Sequence, residues 1–200
     1  QYADYADEGL NEVASLSLPP NSVEAEQSVL GGLLLENSAW DRIADVVAGE
    51  DFYRHEHRVI FRTIAALINE SRPADIITVQ EWLERNDELE AVGGFNYLIT
   101  LAQNTPSAAN IRRYAEIVRE KSVMRQLAEV GTEIARNAYN TEGRTAEQLL
   151  DEAENKVLQI AESTAKSKQG FLKMPVLLKE NIERIEKLYQ SDNPEEVTGL

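Results

Sequence analysis

The sequence predicts an all-α protein in which a compact multi-helix domain is followed by a projecting antiparallel helical hairpin and then by a separate amphipathic helix. Three observations support this fold class. Residues 111–140 form a run of thirty with no proline and one glycine. Apolar residues repeat at helical spacing in several shorter segments, and the period-two alternation that is typical of strands is nearly absent.

Residues 1–18 are predicted to be a flexible acidic tail, because they carry four carboxylates and no basic residue. The adjacent Pro19 and Pro20 end this tail, and Asn21 with Glu24 has the spacing of a helix cap and its reciprocal partner. A globular helical domain is predicted for residues 19–110. Its short helices are expected at 23–35, 40–47, 55–71, 78–86 and 95–101.

The boundaries between these helices follow from residue types with known local preferences. Thr78 with Glu81 has the spacing of a capping box at the start of the fourth helix. The pair Gly93-Gly94 permits a left-handed turn before the fifth. Gly31-Gly32 lies inside the first helix, where each glycine costs about 1 kcal/mol relative to alanine. Close packing of another helix is the favoured explanation of that pair, and an anion site is the alternative.

Residues 111–165 are predicted to form a helical hairpin with its tip at 141–144. Thr145 with Gln148 forms another capping box, which marks the start of the returning arm. Since an isolated helix pair buries only its mutual seam, we expect the hairpin of a second copy to complete a small bundle. Leu127 and Ile134 should then lose solvent at a subunit contact or within the seam. The predicted pairing residues are Tyr114, Val118, Met124, Leu127, Ile134, Leu149, Leu150, Val157 and Ile160.

A flexible linker is predicted at 166–174, followed by an amphipathic helix at 175–190 and a junction at 191–200. Pro175 suits the first position of that helix. A single short helix beyond a linker is marginal alone, so its apolar face should dock on something, and the target could lie in another subunit. The predicted docking residues are Leu178, Ile182, Ile185 and Tyr189.

Composition excludes several classes of protein. No apolar run approaches the roughly eighteen residues that span a bilayer, and the first residues lack the features of a signal peptide. The chain has no cysteine, which excludes a disulfide framework and thiol-based metal sites and fits a reducing cytoplasm. A net charge of −15 disfavours direct DNA binding, because such affinity comes mainly from lysines and arginines that displace counterions.

One segment, residues 112–125, departs from this acidic balance. Its five basic residues outnumber Glu116 and Glu120, and the charges alternate at helical spacing. A solvated helix face held by intrahelical ion pairs is the favoured interpretation, and a surface that binds single-stranded nucleic acid is the alternative. The basic residues are Arg112, Arg113, Arg119, Lys121 and Arg125.

Signs of catalytic or metal chemistry are weak. His55 and His57 flank Glu56, but residues two apart on a helix point in nearly opposite directions and cannot chelate one metal. We therefore expect a structural role for these histidines, and we predict no metal, no bound cofactor and no catalytic acid or base. A stand-alone helical hydrolase, suggested only by the many carboxylates and this histidine pair, is a third hypothesis.

Six segments together resemble one known family. They are SVEAEQSVLGGLLLEN at 22–37, DFYRHEHRVIF at 51–61, VGGFNYL at 92–98, NTPSAANI at 104–111, GRTAEQLLDEAE at 143–154 and VTGL at 197–200. In this order they are similar to the N-terminal domain and linker helix of bacterial replicative DNA helicases of the DnaB type. The resemblance covers residues 18–200.

The resemblance implies a specific role. Family members pair this region with a RecA-like ATPase domain that uses ATP and magnesium to unwind DNA from 5′ to 3′ as a ring hexamer. None of the ten glycines here is followed by lysine, so the phosphate-binding loop of that domain is missing from these residues. We therefore expect no enzymatic activity from them.

The resemblance also implies partners. In the family, the N-terminal domains form a collar, a trimer of dimers, in which hairpins pair and to which primase binds. The implied partners of this chain are other copies of itself, primase, a helicase loader and the ATPase domain of an adjacent subunit, with DNA contacted mainly through the ring. The expected location is the replication fork in the bacterial cytoplasm.

Overall fold

A computed structural model of the chain describes residues 18–105 and 107–168. The predicted acidic tail, except for its last residue, lies outside these residues. So does the predicted linker helix with Leu178, Ile182, Ile185 and Tyr189. In the described part of the chain every regular element is a helix and no strand is found, which confirms the all-α class.

The helices follow one another as the sequence predicts, apart from one. The α-helices are α1 Val23–Leu35, α2 His55–Asn69, α3 Ile76–Arg85, α4 Gly94–Gln103, α5 Ile111–Tyr139 and α6 Ala146–Lys168. Short 3₁₀ helices lie at Asn37–Arg42, Gly49–Asp51 and Glu90–Val92. None of the α-helices in 18–105 and 107–168 combines the length and the apolarity needed to cross a bilayer.

The helix predicted at 40–47 is wrong, because a 3₁₀ helix and turns occupy this region. The Asn37 side chain explains the early start of the 3₁₀ helix. Its amide nitrogen donates to the Leu33 carbonyl at 2.8 Å and to the Ala74 carbonyl at 3.1 Å, while its oxygen accepts from the Ala74 amide at 2.8 Å. The chain after α1 is therefore tied to the segment that precedes α3.

Helix α1 lies in the centre of the globular core. Val29, Leu30 and Leu33 are fully buried, and apolar residues occupy most of the helix circumference rather than one stripe. A Cβ atom built on Gly31 would lie 2.1 Å from the Thr105 Oγ1 atom and 2.3 Å from the Leu101 carbonyl oxygen. The end of α4 therefore touches the α1 backbone, which confirms close packing as the reason for the glycine.

Two predicted helix caps are wrong, although both helices exist. At α1 the cap is Ser22, whose hydroxyl accepts from the Ala25 amide at 3.4 Å, while Asn21 donates its side-chain amide to the Pro19 carbonyl. The predicted partnership of Asn21 with Glu24 is therefore not the one formed.

At α3 the cap is Asp75 rather than Thr78, so the helix begins at Ile76. The Asp75 carboxylate accepts from the Ile77 and Thr78 amides at 3.0 and 2.9 Å, and the Thr78 hydroxyl accepts from the Asp75 amide. A carboxylate is favoured there because it accepts two amide bonds and carries negative charge at a helix N-terminus. The predicted left-handed turn is confirmed, with φ of 94° at Gly93 and 70° at Gly94.

Helices α5 and α6 form the predicted hairpin. The Thr145 amide donates to the Gln148 side-chain oxygen at 2.9 Å, and the Gln148 amide donates to the Thr145 hydroxyl at 3.3 Å, so the capping box at the start of α6 is confirmed. The first turns of α5 also belong to the core, where Ile111, Ala115 and Val118 are buried. At 29 residues, α5 is about 43 Å long and continues well beyond that core.

Candidate self-association surface

The outer part of the hairpin exposes large apolar side chains. We call them the exposed hairpin set, and each is at least 40% exposed: Met124, Leu127, Tyr139, Leu150, Val157 and Leu158. Met124 and Leu127 share one face of α5 because they are three residues apart, and Leu150 and Val157 share one face of α6 because they are seven apart. Both arms therefore present apolar groups to solvent.

A mainly apolar groove runs between the arms near the tip. It has a volume of about 380 Å³, and its walls include Ile134 and Ala138 from α5 and Leu149, Leu150 and Ala153 from α6. The seam between the arms is thus not filled by the chain's own side chains at this end.

Two ion pairs lie at this end of the hairpin, one between the two arms and one between the tip and α6. Lys156 pairs with Glu133 across the seam, and Arg144 of the tip contacts Glu152 at 2.8 Å. The hydrogen bond from Lys156 lowers the pKa of Glu133 below its usual range. The pair between Lys156 and Glu133 thus links the two arms beside the apolar groove.

The predicted pairing residues fall into three groups. Met124, Leu127, Leu150 and Val157 are exposed, whereas Ile134 and Leu149 are half-buried in the groove. Tyr114 packs on the globular core, Val118 lies inside it at 1% exposure, and Ile160 is 7% exposed. Val118 and Ile160 are therefore covered by this chain itself and do not belong to its exposed apolar surface.

The structure adds two exposed residues that the periodicity argument missed, Tyr139 and Leu158. Tyr139 is the last residue of α5, and Leu158 directly follows Val157 in α6. Neither residue is among the predicted pairing residues. Each follows another apolar residue directly, and this adjacency was the signal in the sequence that could have identified them.

At the root of the hairpin, where α5 leaves the globular core, the predicted solvated basic face is only partly observed. Arg112 and Arg113 form the expected intrahelical ion pairs with Glu116. Arg119 instead turns inward, where its Nη1 atom contacts the Asp51 carboxylate at 2.6 Å. The prediction of a wholly solvated face is wrong at this position, because a buried carboxylate far away in sequence competes for the guanidinium.

Arg125 is also turned inward. Its guanidinium donates to the carbonyls of Pro20 and Asp51 and lies 5.6 Å from the centre of the Tyr53 ring. Burial lowers the pKa of Arg125 below its usual value. Arg112 also donates to a backbone carbonyl 70 residues away. Three of the five basic residues thus bond to distant parts of the chain, which weakens the alternative of a nucleic-acid-binding face.

The histidine pair separates as the helix geometry requires. His55 is exposed, whereas His57 is fully buried, with its Nδ1 atom 2.6 Å from the Glu26 carboxylate and its Nε2 atom 2.7 Å from the Tyr97 hydroxyl. The other Glu26 oxygen accepts from the Tyr53 amide at 2.7 Å. These bonds join α1, α2 and α4. In the described residues no group of three His, Cys, Asp or Glu is placed to hold a metal ion.

Comparison with known proteins agrees with this architecture. The model of the DnaB-like helicase N-terminal domain family matches residues 18–120. Replicative DNA helicase DnaB of Haemophilus influenzae is 43% identical over 189 residues, which are 94% of this chain and 40% of that protein. This chain therefore spans about 40% of the length of that relative.

Two solved structures are similar in fold. The crystal structure of the N-terminal domain of DnaB helicase from Mycobacterium tuberculosis has a TM-score of 0.69 and 38% identity, covering 71% of this chain and 99% of that one. The structure of a DnaB-like replicative helicase and its interactions with primase has a TM-score of 0.58 and 22% identity, covering 81% and 35%. The matched family model, together with the likeness to the Mycobacterium tuberculosis domain, shows that the chain belongs to the DnaB-like helicase N-terminal domain family.

Proposed function

We propose that this chain is the collar region of a replicative DNA helicase and that its hairpin drives self-association. The observation that carries the proposal is the exposed hairpin set together with the open apolar groove at the tip. Monomeric proteins rarely expose large apolar patches to water, and such patches mark interaction sites. Copies of the chain are expected to pair as dimers and to assemble further as a trimer of dimers.

The energetics favour a symmetric partner. Fully burying a leucine-sized side chain contributes about 1.5–3 kcal/mol, and the residues of the exposed hairpin set are roughly half exposed, so each would add a fraction of this amount. In a two-fold symmetric contact every such residue counts twice, because the same patch is used on both copies. This doubling helps to offset the entropy lost on association.

Recruitment of primase, and of a loader, is the second part of the proposal. It is supported by the common fold of this chain and the DnaB-like replicative helicase whose structure was solved with its interactions with primase. A paired collar would present the globular domains outside the hairpins as the surface for such partners. Pull-down with the helicase-binding domain of a bacterial primase tests it. Retention of the chain is expected, and failure to retain it would leave only the assembly role.

For the whole protein we propose ATP-dependent 5′ to 3′ DNA unwinding in the bacterial cytoplasm. ATP and magnesium would bind an ATPase domain beyond these 200 residues, and DNA would be contacted mainly by the assembled ring. The predicted helix at 175–190 would dock on the ATPase domain of an adjacent subunit. This part is supported by the similarity to replicative DNA helicase DnaB over 94% of the chain.

Sedimentation velocity over a range of concentrations tests self-association. We expect the wild-type chain to form dimers or larger species, and Leu127→Glu or Leu150→Glu to shift the chain toward monomer, because a charge would have to be buried in the contact. Leu35→Glu is the matched control. Leu35 is 53% exposed, against 48% for Leu127 and 60% for Leu150, but lies in the globular domain. A wild-type chain that stays monomeric at high concentration would contradict the proposal.

A further inference from the structure

The end of α6 has few apolar anchors of its own. Among residues 146–164 of this helix, Ile160 is the one that is buried, at 7% exposure. Ser163, one turn further on, lines a small cleft together with residues of the segment 44–51 and Arg119. Polar contacts of Ser163 therefore add to the packing of Ile160 in holding this end of α6 against the rest of the chain.

Asp51 is the fixed side of these contacts. It is 3% exposed, and one carboxylate oxygen accepts from the Ala48 amide at 2.8 Å, which sets the orientation of the side chain. The other oxygen lies 2.6 Å from the Nη1 atom of Arg119. The backbone carbonyl of Asp51 accepts from Arg125 as well. Contacts with Ala48, Arg119 and Arg125 therefore fix the position of Asp51.

Arg119 extends from α5 to both neighbours at once. While Nη1 contacts Asp51, its Nη2 atom donates to the Ser163 hydroxyl at 3.1 Å. The Ser163 hydroxyl donates its own proton to the Ile160 carbonyl at 2.9 Å, which leaves its oxygen free to accept from the guanidinium. The planar fork of arginine makes both contacts possible, whereas a lysine ammonium has no such fixed pair of donors.

We propose that Asp51, Arg119 and Ser163 form a root clamp in which Arg119 is the positioning residue. Through the Arg119 side chain of α5, the clamp connects the end of α6 to the segment that precedes α2. It thereby sets the alignment of the two arms. Since the arms carry the exposed hairpin set, the clamp also fixes how that set is presented.

Hydrogen exchange of the full chain tests the clamp, because opening of the α6 end exposes its backbone amides. Ser163→Ala removes the hydroxyl without leaving Asp51 unpaired. Loss of one hydrogen bond to a charged donor should raise exchange of the amides in 157–164 about tenfold. Ser163→Thr, which keeps the hydroxyl, should restore protection. Arg113→Gln is the matched control, as Arg113 lies on the same helix with only an exposed ion pair to Glu116.

A second variant tests whether the three groups act as a unit. Arg119→Gln should raise the same exchange rates, and adding Ser163→Ala to it should raise them little further, because both changes open one contact. Unchanged exchange in Ser163→Ala, or rates that multiply fully in the double variant, would overturn the clamp.

The clamp and the pairing proposal are tested by different measurements, so one can be contradicted without the other. Exchange at the α6 end can be measured on monomer at low concentration, whereas pairing is read from sedimentation. A wild-type chain that does not associate, but whose α6 end is released by Ser163→Ala, would contradict pairing and support the clamp. A wild-type chain that associates, but whose α6 amides exchange at the same rate in Ser163→Ala, would support pairing and contradict the clamp.

Discussion

Single residues in the core explain how three helices are joined by polar as well as apolar contacts. Glu26 lies on α1 among fully buried aliphatic side chains, and it is itself 1% exposed. A buried carboxylate is costly unless its oxygens are satisfied, and here they are bonded to His57 and to the Tyr53 amide. Tyr97 then connects His57 to α4 and also accepts from Gln27 at 3.1 Å. Such a network specifies one arrangement of the helices.

The contribution of this network can be measured by removing one hydroxyl. Tyr97→Phe leaves His57 and Gln27 without this partner, and we expect the free energy of unfolding to fall by about 1–3 kcal/mol. Tyr139→Phe is the control, because Tyr139 is 67% exposed at the end of α5. Urea unfolding of the two variants checks this. Equal stabilities would show that the network adds nothing to folding.

Gly31 supports a second prediction at this scale. A methyl group there would overlap Thr105 and the Leu101 carbonyl, so Gly31→Ala should destabilise the fold by about 3 kcal/mol or more, at the upper end of overpacking effects. At Gly131, by contrast, nothing lies within 4 Å of an added Cβ atom. Gly131→Ala should instead stabilise α5 by up to about 1 kcal/mol, because alanine favours the helix more than glycine does. Similar denaturation midpoints for the two variants would contradict the packing described for α1 and α4.

Among the elements, the hairpin has two distinct halves. The first turns of α5 pack in the globular core, and the remainder of α5 and most of α6 depend on each other and on polar links. One of these links is the ion pair between Glu133 and Lys156 toward the tip of the hairpin. Because its members come from different arms, it reports directly on whether the arms stay together.

The pKa of Glu133 provides the corresponding test. In the folded chain it is lowered from its ordinary value of 4.5, chiefly by the hydrogen bond from Lys156. The ion pair therefore stabilises the hairpin at pH above 4.5, and this contribution is lost as the pH falls through the lower folded value. An NMR titration of the Glu133 side chain should show the depressed pKa in the wild type and a return toward 4.5 in Lys156→Met. Because Arg136 and Arg144 also lower this pKa, only a pKa as depressed in Lys156→Met as in the wild type would contradict the cross-arm pairing.

Local signals in the sequence predicted most elements because the information for them is local. The limits of α1, the glycine turn before α4 and the Thr145 capping box all follow from neighbours within a few residues. The region 37–47 could not be predicted in this way, because Asn37 takes its partner from Ala74 in a distant segment.

The candidate site shows the same limit. Apolar periodicity found Leu127 and Leu150, but it could not separate them from Val118, which the core of this chain covers. Charge spacing suggested that Arg119 faces solvent, whereas its partner Asp51 is 68 residues away in sequence. Contacts of that range are determined by the packing of the helices, and no local pattern in the sequence encodes them.

For the whole molecule, the central claim is that the hairpins of two copies meet through their exposed apolar side chains. The exposed hairpin set supports this claim. The globular domain also exposes large apolar residues, among them Leu35 and Ile77. A contact between copies through these residues is therefore the alternative to pairing through the hairpins. A decisive test must therefore show which side chains touch between copies.

An isotope-filtered NMR experiment on an equal mixture of labelled and unlabelled chains makes that distinction. It detects contacts only between methyl groups of different copies. We expect intermolecular signals for Leu127, Leu150 and Leu158 and none for Leu35 or Ile77. Intermolecular signals from Leu35 or Ile77, with none from the hairpin leucines, would contradict the account.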